Sequence, residues 1–185
     1  MAEHVCPWWI GYLLLSPVRR IMQNPRKILA PHIRPGTVAL DLGCGMGFFS
    51  LDMARLAGPE GKVICVDLQP KMIKALVRRA TKAGVIDSIE PRVCEKNGLG
   101  IDDLEGKVDF ALAFALVHEV PDAEAFFAQI RAALRPGGTC LTAEPTGHVS
   151  KKRFEETLAA AGRAGFKVSA RPEIRRSHAA LLATT

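Results

Sequence analysis

From residue 36 onward the chain alternates short β-branched, apolar runs with longer segments whose apolar positions recur every three or four residues. This alternation predicts a parallel sheet with crossover helices. Seven strands are predicted, over Thr37 to Leu42, Lys62 to Asp67, Ile89 to Cys94, Val108 to Ala115, Gly138 to Glu144, Phe166 to Arg171 and His178 to Ala183. Helices are predicted over Phe48 to Leu56, Gln69 to Ala83, Asp122 to Leu134 and Ser150 to Ala164. The last two strands leave no room for a helix between them and are expected to pair antiparallel. The helix near Pro70 is the clearest, with Met72, Ile73, Leu76, Val77, Ala80 and Ala83 along one face and Lys71, Lys74, Arg78 and Lys82 along the other. Leu134-Arg135-Pro136-Gly137-Gly138 reads as a helix stop and turn, and Ser150 as an N-cap.

Composition narrows the class without naming a substrate. A chain of 185 residues with 48% apolar content suits one globular domain, read as residues 1–185 with an N-terminal arm over 1–35 and a core over 36–185. Aromatic residues at 6% leave few stacking platforms for single-stranded nucleic acid. The formal charge of +6 favours anionic partners. The apolar run Trp8 to Leu15 is broken by Ser16, Pro17 and Arg19, short of the roughly 18 to 20 residues that span a bilayer. The start lacks the basic region of a secretion signal, and a cytoplasmic protein is expected. Cys6, Cys44, Cys65, Cys94 and Cys140 are odd in number and form no CxxC pair, so they are read as reduced, mostly buried small hydrophobes; no metal site is expected.

The stretch Asp41-Leu42-Gly43-Cys44-Gly45-Met46-Gly47-Phe48 is a strand end running into a glycine-rich turn and a helix. Glycines there allow a sharp turn and close approach of a ligand to the backbone. A second strand ends at Asp67, 22 positions after Gly45, where a carboxylate can accept both hydroxyls of a ribose. The dinucleotide fingerprint would want glycine at position 48, which is Phe48, and Asp41 would repel a pyrophosphate. Both features disfavour NAD. A cofactor combining a cationic sulfonium, an ammonium and a ribose suits Asp41 and Asp67 together, and S-adenosylmethionine is that cofactor.

With Val66-Asp67, Val108-Asp109-Phe110 and Leu134 to Gly138 added in order, the set resembles the seven-stranded, Rossmann-like class I S-adenosylmethionine-dependent methyltransferases. Ala115-Leu116-Val117-His118-Glu119-Val120-Pro121-Asp122 is similar to their small-molecule, quinone-biosynthesis-type group. The resemblance implies an α/β three-layer sandwich with a mostly parallel sheet of order 3-2-1-4-5-7-6, its seventh strand antiparallel. It further implies that Gly43, Cys44, Gly45 and Gly47 surround the methionine portion, with Asp41 near its amino group. Asp67 would hold the ribose, Leu68 and Met72 would pack on adenine, and Glu95 would lie at the adenine edge. Many relatives carry Asp followed by a small residue there, whereas this chain has Glu95-Lys96. S-adenosylhomocysteine would be the product.

The acceptor is expected near the ends of the fourth and fifth strands, which carry His118, Glu119, Glu144 and His148. His118 and Glu144 are the candidate catalytic residues. His118 has a suitable ordinary pKa for a base, and it can equally cap the loop before Pro121. Glu144 can orient an acceptor or tie down a loop. The Asn/Asp-Pro-Pro-Tyr/Phe turn of amino-group methyltransferases is replaced by Ala115 to His118, and no cysteine is placed for thiolate attack or for sharing arsenic. Trp8 and Trp9 read as a lid over the acceptor, as core packing, or, with Arg19, Arg20, Arg26 and Lys27, as a membrane-surface contact. The resulting expectation is methyl transfer to a small apolar or aromatic molecule. The alternatives are an RNA methyltransferase using the basic helix face and a non-catalytic cofactor-binding or regulatory domain.

Overall fold

Strands covered on both faces must be apolar nearly throughout. Val38–Leu42 (β1) and Lys62–Asp67 (β2) are buried at every position but the first. The computed structural model describes residues 16–184 and divides into two compact units, one ending at Glu95 and one beginning at Lys96. The first contains α1 (Pro17–Met22), α2 (Pro25–Leu29), β1, α3 (Ser50–Ala57), β2, α4 (Pro70–Ala83) and β3 (Ile89–Val93). The second contains β4 (Val108–Phe114), α5 (Ala123–Ala133), β5 (Leu134–Pro145), α6 (Lys151–Arg163), β6 (Phe166–Ala170) and β7 (Ser177–Thr184). The seven strands follow the order β3-β2-β1-β4-β5-β7-β6, as the resemblance implies. β7 runs antiparallel to β5 and to β6. Pro91 is tolerated in β3 because that strand is an edge, where a ladder donor can be missing.

Helix ends follow their local chemistry. Ser150 caps α6 by accepting from the Arg153 amide at 3.2 Å, and Asp122 caps α5 through the Ala125 amide at 3.0 Å. α4 opens on Pro70 and closes on Gly84 in the left-handed conformation. It buries Met72, Ile73, Ala75, Leu76 and Ala80, and it leaves Lys71, Lys74, Arg78 and Lys82 exposed. Among the described residues no helix is long and apolar enough to cross a membrane.

Two boundaries differ from the sequence reading by more than one residue. β5 begins at Leu134 instead of Gly138, because Leu134 pairs with Val108 and Thr139 with Phe110, leaving Arg135 to Gly138 as a bulge inside the strand. α3 begins at Ser50 instead of Phe48, since the glycine turn continues through Phe49. Of the N-terminal arm, the structure describes α1 and α2; Trp8, Trp9 and Cys6 lie outside the described residues.

Candidate functional site

In the first unit the ends of β1 and β2 meet at the glycine turn. The Cys44 amide donates to the Val66 carbonyl at 3.1 Å, and the Gly47 amide closes the turn on the Cys44 carbonyl at 2.9 Å. Asp67 staples this turn to the next one: Oδ2 accepts from the Gly45 amide and Oδ1 from the Gln69 amide, each at 2.8 Å. Gly45 and Gly47 both have positive φ, but their surroundings differ. A Cβ at Gly45 would meet nothing within 4 Å, so the backbone faces open space there. A Cβ at Gly47 would stand 2.4 Å from Leu76 Cδ1 and 2.7 Å from Leu51 Cδ1.

Asp41 is only 2% exposed, and its Oδ2 accepts from the Ser50 hydroxyl at 2.5 Å. Burial pushes its carboxyl up to about 7; the Ser50 hydrogen bonds and the Arg19 guanidinium oppose that rise, and the Asp67 charge adds to it. Asp67 is also raised by burial, against the pull of its two backbone donors. Arg19 lies with its guanidinium 4.2 Å above the Phe48 ring centroid. Burial lowers it to about 10, and the Asp41 charge works against that. The neighbouring Arg20 holds α1 to α3 through Asp52, with Nη2 2.8 Å from Oδ2.

In the second unit β4 ends at Phe114 and the chain pivots at Ala115, whose φ of 55° is unusual for a residue with a Cβ. The pivot leads into a single 3-10 turn, Val117–Glu119. Glu144, fully buried at the end of β5, meets that turn with both oxygens. Oε1 accepts from the Val117 amide at 2.7 Å and, more loosely, from the His118 amide at 3.3 Å. Oε2 stands 2.6 Å from His118 Nδ1. A carboxylate can only accept there, so Nδ1 carries the hydrogen and Nε2 of the neutral ring keeps its lone pair. The Glu144 hydrogen bond raises the His118 pKa against the opposing effect of burial. Glu119 Oε1 lies 3.9 Å from Nε2, and the His148 ring stacks nearly parallel at 6.4 Å.

The structure therefore joins His118 and Glu144, and it gathers Asp41, Gly43, Cys44, Gly45, Gly47 and Asp67 around one turn. Leu68 is half-buried, and Met72 is buried in a cluster with Met46 and Ala75. Glu95 is exposed just past β3, next to Cys94, whose amide donates to the Asp67 carbonyl. Burial raises the thiol of Cys140 to about 12, which keeps it protonated. Ser50 escaped the sequence reading, and Arg19 entered it only under the membrane-surface alternative. Ser50 carries a faint signal, a hydroxyl in the first helical turn after the glycines; Arg19 carries none, since its contacts come from packing. Among the described residues no group of three or more His, Cys, Asp or Glu side chains is placed to hold a metal ion.

Sheet order, glycine turn and the acid ending β2 define a Rossmann-like protein built for a nucleoside cofactor. The chain belongs to the methyltransferase-domain family, whose model matches residues 33–170. S-adenosylmethionine is its cofactor. The chain is 32% identical over 124 residues to a ubiquinone biosynthesis O-methyltransferase of Xanthomonas euvesicatoria pv. vesicatoria, covering 67% of this chain and 47% of that protein. It is 33% identical over 115 residues to an arsenite methyltransferase of Halobacterium salinarum, covering 62% of this chain and 28% of that protein. It thus spans less than half the length of either relative. A crystal structure of a SAM-dependent methyltransferase from Aquifex aeolicus superposes with a TM-score of 0.86 at 20% identity, covering 98% of this chain and 100% of that one.

Proposed function

We propose that this protein transfers a methyl group from S-adenosylmethionine to a hydroxyl of a small apolar or aromatic molecule, with His118 as general base and Glu144 as its positioning residue. The observation that carries this reading is the 2.6 Å contact between His118 Nδ1 and the buried Glu144 carboxylate. The O-methyltransferase among the relatives supports the choice of oxygen as acceptor.

The residues at the glycine turn fit the cofactor. Gly45 borders open space, and Gly43, Cys44 and Gly47 shape the turn around the methionine portion. Asp41 sets a negative charge against the ammonium. Asp67 spends one lone pair of each oxygen on the backbone and keeps others for the ribose hydroxyls. Leu68 flanks the adenine, Met72 backs that surface from its buried cluster, and Glu95 lies at the edge of the base. When bound, the cofactor supplies an electrophilic methyl on a sulfonium and leaves as the neutral thioether.

His118 Nε2 takes the proton of the acceptor hydroxyl as its oxygen pair forms the new bond to the methyl carbon; the broken C–S bond leaves its electrons on sulfur. The imidazolium that results is held by Glu144 on Nδ1, with Glu119 near Nε2. Glu144 also fixes the Val117–His118 backbone, so one carboxylate sets both the position and the tautomer of the base.

Turnover with a panel of phenols and catechols tests this reading. His118→Ala is expected to lower kcat by about 10² to 10⁴. The wild-type rate should rise with pH through a His118 pKa lying above the ordinary histidine value, because only the neutral ring accepts a proton. Glu144→Gln, which removes the carboxylate charge, should move that rise to lower pH and reduce its plateau. Undiminished turnover in His118→Ala would leave the dyad as a loop fastener only. Calorimetric binding of S-adenosylhomocysteine, lost in Asp67→Ala, checks the cofactor site separately.

A further inference from the structure

In the first unit, charged side chains from three helices meet at a place that neither the cofactor nor the dyad uses. Arg20 of α1 reaches Asp52 of α3 with Nη2, which lies 2.8 Å from Oδ2 and 3.1 Å from Oδ1. Arg55, one turn further along α3, brings Nη1 to 3.5 Å from Oδ1. Arg79 of α4 donates to the Met46 carbonyl, and the charges of Arg20, Arg55 and Asp52 all act on it. Burial is the largest cause lowering its pKa from the ordinary arginine value; Arg20 and Arg55 add to the fall and Asp52 opposes it.

Three guanidiniums therefore share one carboxylate, and among the described residues no other acid pairs with any of them. Two positive charges are left unmatched. Like charges held this close repel, and partial burial weakens the screening that water gives. A bound dianion would remove the repulsion.

The donors for it are present. Arg20 commits only Nη2 to Asp52 and Arg55 only Nη1, so each guanidinium keeps N–H groups for a second acceptor. Planar guanidinium forks match phosphate oxygens, and a doubly charged phosphate balances the cluster where a carboxylate would balance half of it. The helix that carries Arg20 also exposes Val18 and Ile21, 62% and 80% accessible and one turn apart. Such a neighbour suits a phosphate borne on an apolar body as well as a free one.

We propose that Arg20, Arg55 and Arg79 form a binding site for a doubly charged phosphate group, whether inorganic phosphate or the headgroup of a phosphomonoester lipid. The site is independent of the methyl-transfer dyad.

The test is calorimetric titration of the full chain with inorganic phosphate at pH 8, where the ion is doubly charged, at ionic strength held constant with chloride. Saturable binding is expected. Arg55→Gln should weaken it about tenfold, as loss of a charged hydrogen bond implies, and Arg55→Glu should abolish it. Lys167→Glu makes the same charge change at an exposed residue of the second unit and should leave the affinity unchanged. Thermal transitions without phosphate check that the variants fold; Arg55 is exposed and makes one long contact, so Arg55→Gln is expected to fold like the wild type. Sedimentation with phosphatidylcholine vesicles, with and without phosphatidic acid, separates the two sources. Recovery that needs phosphatidic acid, and that Arg55→Glu or the pair Val18→Ser, Ile21→Ser abolishes, assigns the lipid headgroup. Phosphate binding without such recovery assigns the free ion. Neither binding nor recovery by the folded wild type overturns the site, as does binding that survives Arg55→Glu or falls equally in Lys167→Glu.

Discussion

Asp41 is where the chemistry of a single residue is most exposed to test. Its folded-state pKa of about 7 lies above the ordinary carboxylate value, so the folded protein holds a proton that the unfolded chain releases. This group therefore costs stability as pH rises from about 4 to 7 and adds no further change above that. The proposed contact with the cofactor ammonium runs the other way, because it needs the ionised form. Affinity for S-adenosylhomocysteine should fall below pH 7, by up to about tenfold per pH unit. Asp41→Asn keeps an acceptor for the Ser50 hydroxyl; it should flatten the pH dependence and weaken binding at pH 7.5 by about tenfold or more. Calorimetry at pH 6 and 7.5 reads both effects. The types and positions of Asp41, Asp67, His118 and Glu144 were legible in the sequence, since carboxylates and histidines ending apolar strands stand out. Their bonds were not. His118 and Glu144 lie 26 residues apart, and only the adjacency of β4 and β5 brings them into contact.

At the scale of elements, the glycine turn divides its labour between fit and access. Gly47 is fixed by packing: its φ is +79°, and a Cβ would press on Leu76 and Leu51, both buried. Gly47→Ala should lower stability by about 2 kcal/mol, combining backbone strain with overpacking. Gly45→Ala meets no protein atom and should cost less stability while weakening S-adenosylhomocysteine more. Urea unfolding beside calorimetric titration separates the two. Every strand and the four longer helices were legible in the sequence, because β1, β2 and β4, buried almost throughout, carry few polar residues, the more exposed edge strands β3 and β6 are short runs between turns, and amphipathic helices carry a clear stripe. The misplaced starts of β5 and α3 share one cause. A bulge and a glycine turn are set by pairing register and by hydrogen bonds to distant residues, such as Ser50 to Asp41, which no local pattern encodes.

For the whole molecule the net charge of +6 leaves an RNA-directed reading to be weighed against the small-molecule one. Lys71, Lys74, Arg78 and Lys82 are exposed along α4, while Arg79 turns inward and donates to the Met46 carbonyl. Four surface cations of this kind predict non-sequence-specific RNA binding whose logarithm falls with log salt at a slope of about −3. Methylation of a small acceptor at 200 mM salt should be indifferent to added RNA. Inhibition by RNA under those conditions would favour the RNA-directed alternative. Charge is fully legible in the sequence, but its use is not, because a row of lysines on a solvated helix has the same composition whether or not anything binds to it.

Asp67 constrains how this fold can diversify. The same two oxygens that are proposed to greet the ribose already fasten the Gly45 and Gln69 amides. Retuning the protein toward a different nucleoside by exchanging this side chain would unfasten both loops at once. An ancestor under selection for a new cofactor would have had to rebuild the turn before it could change the residue.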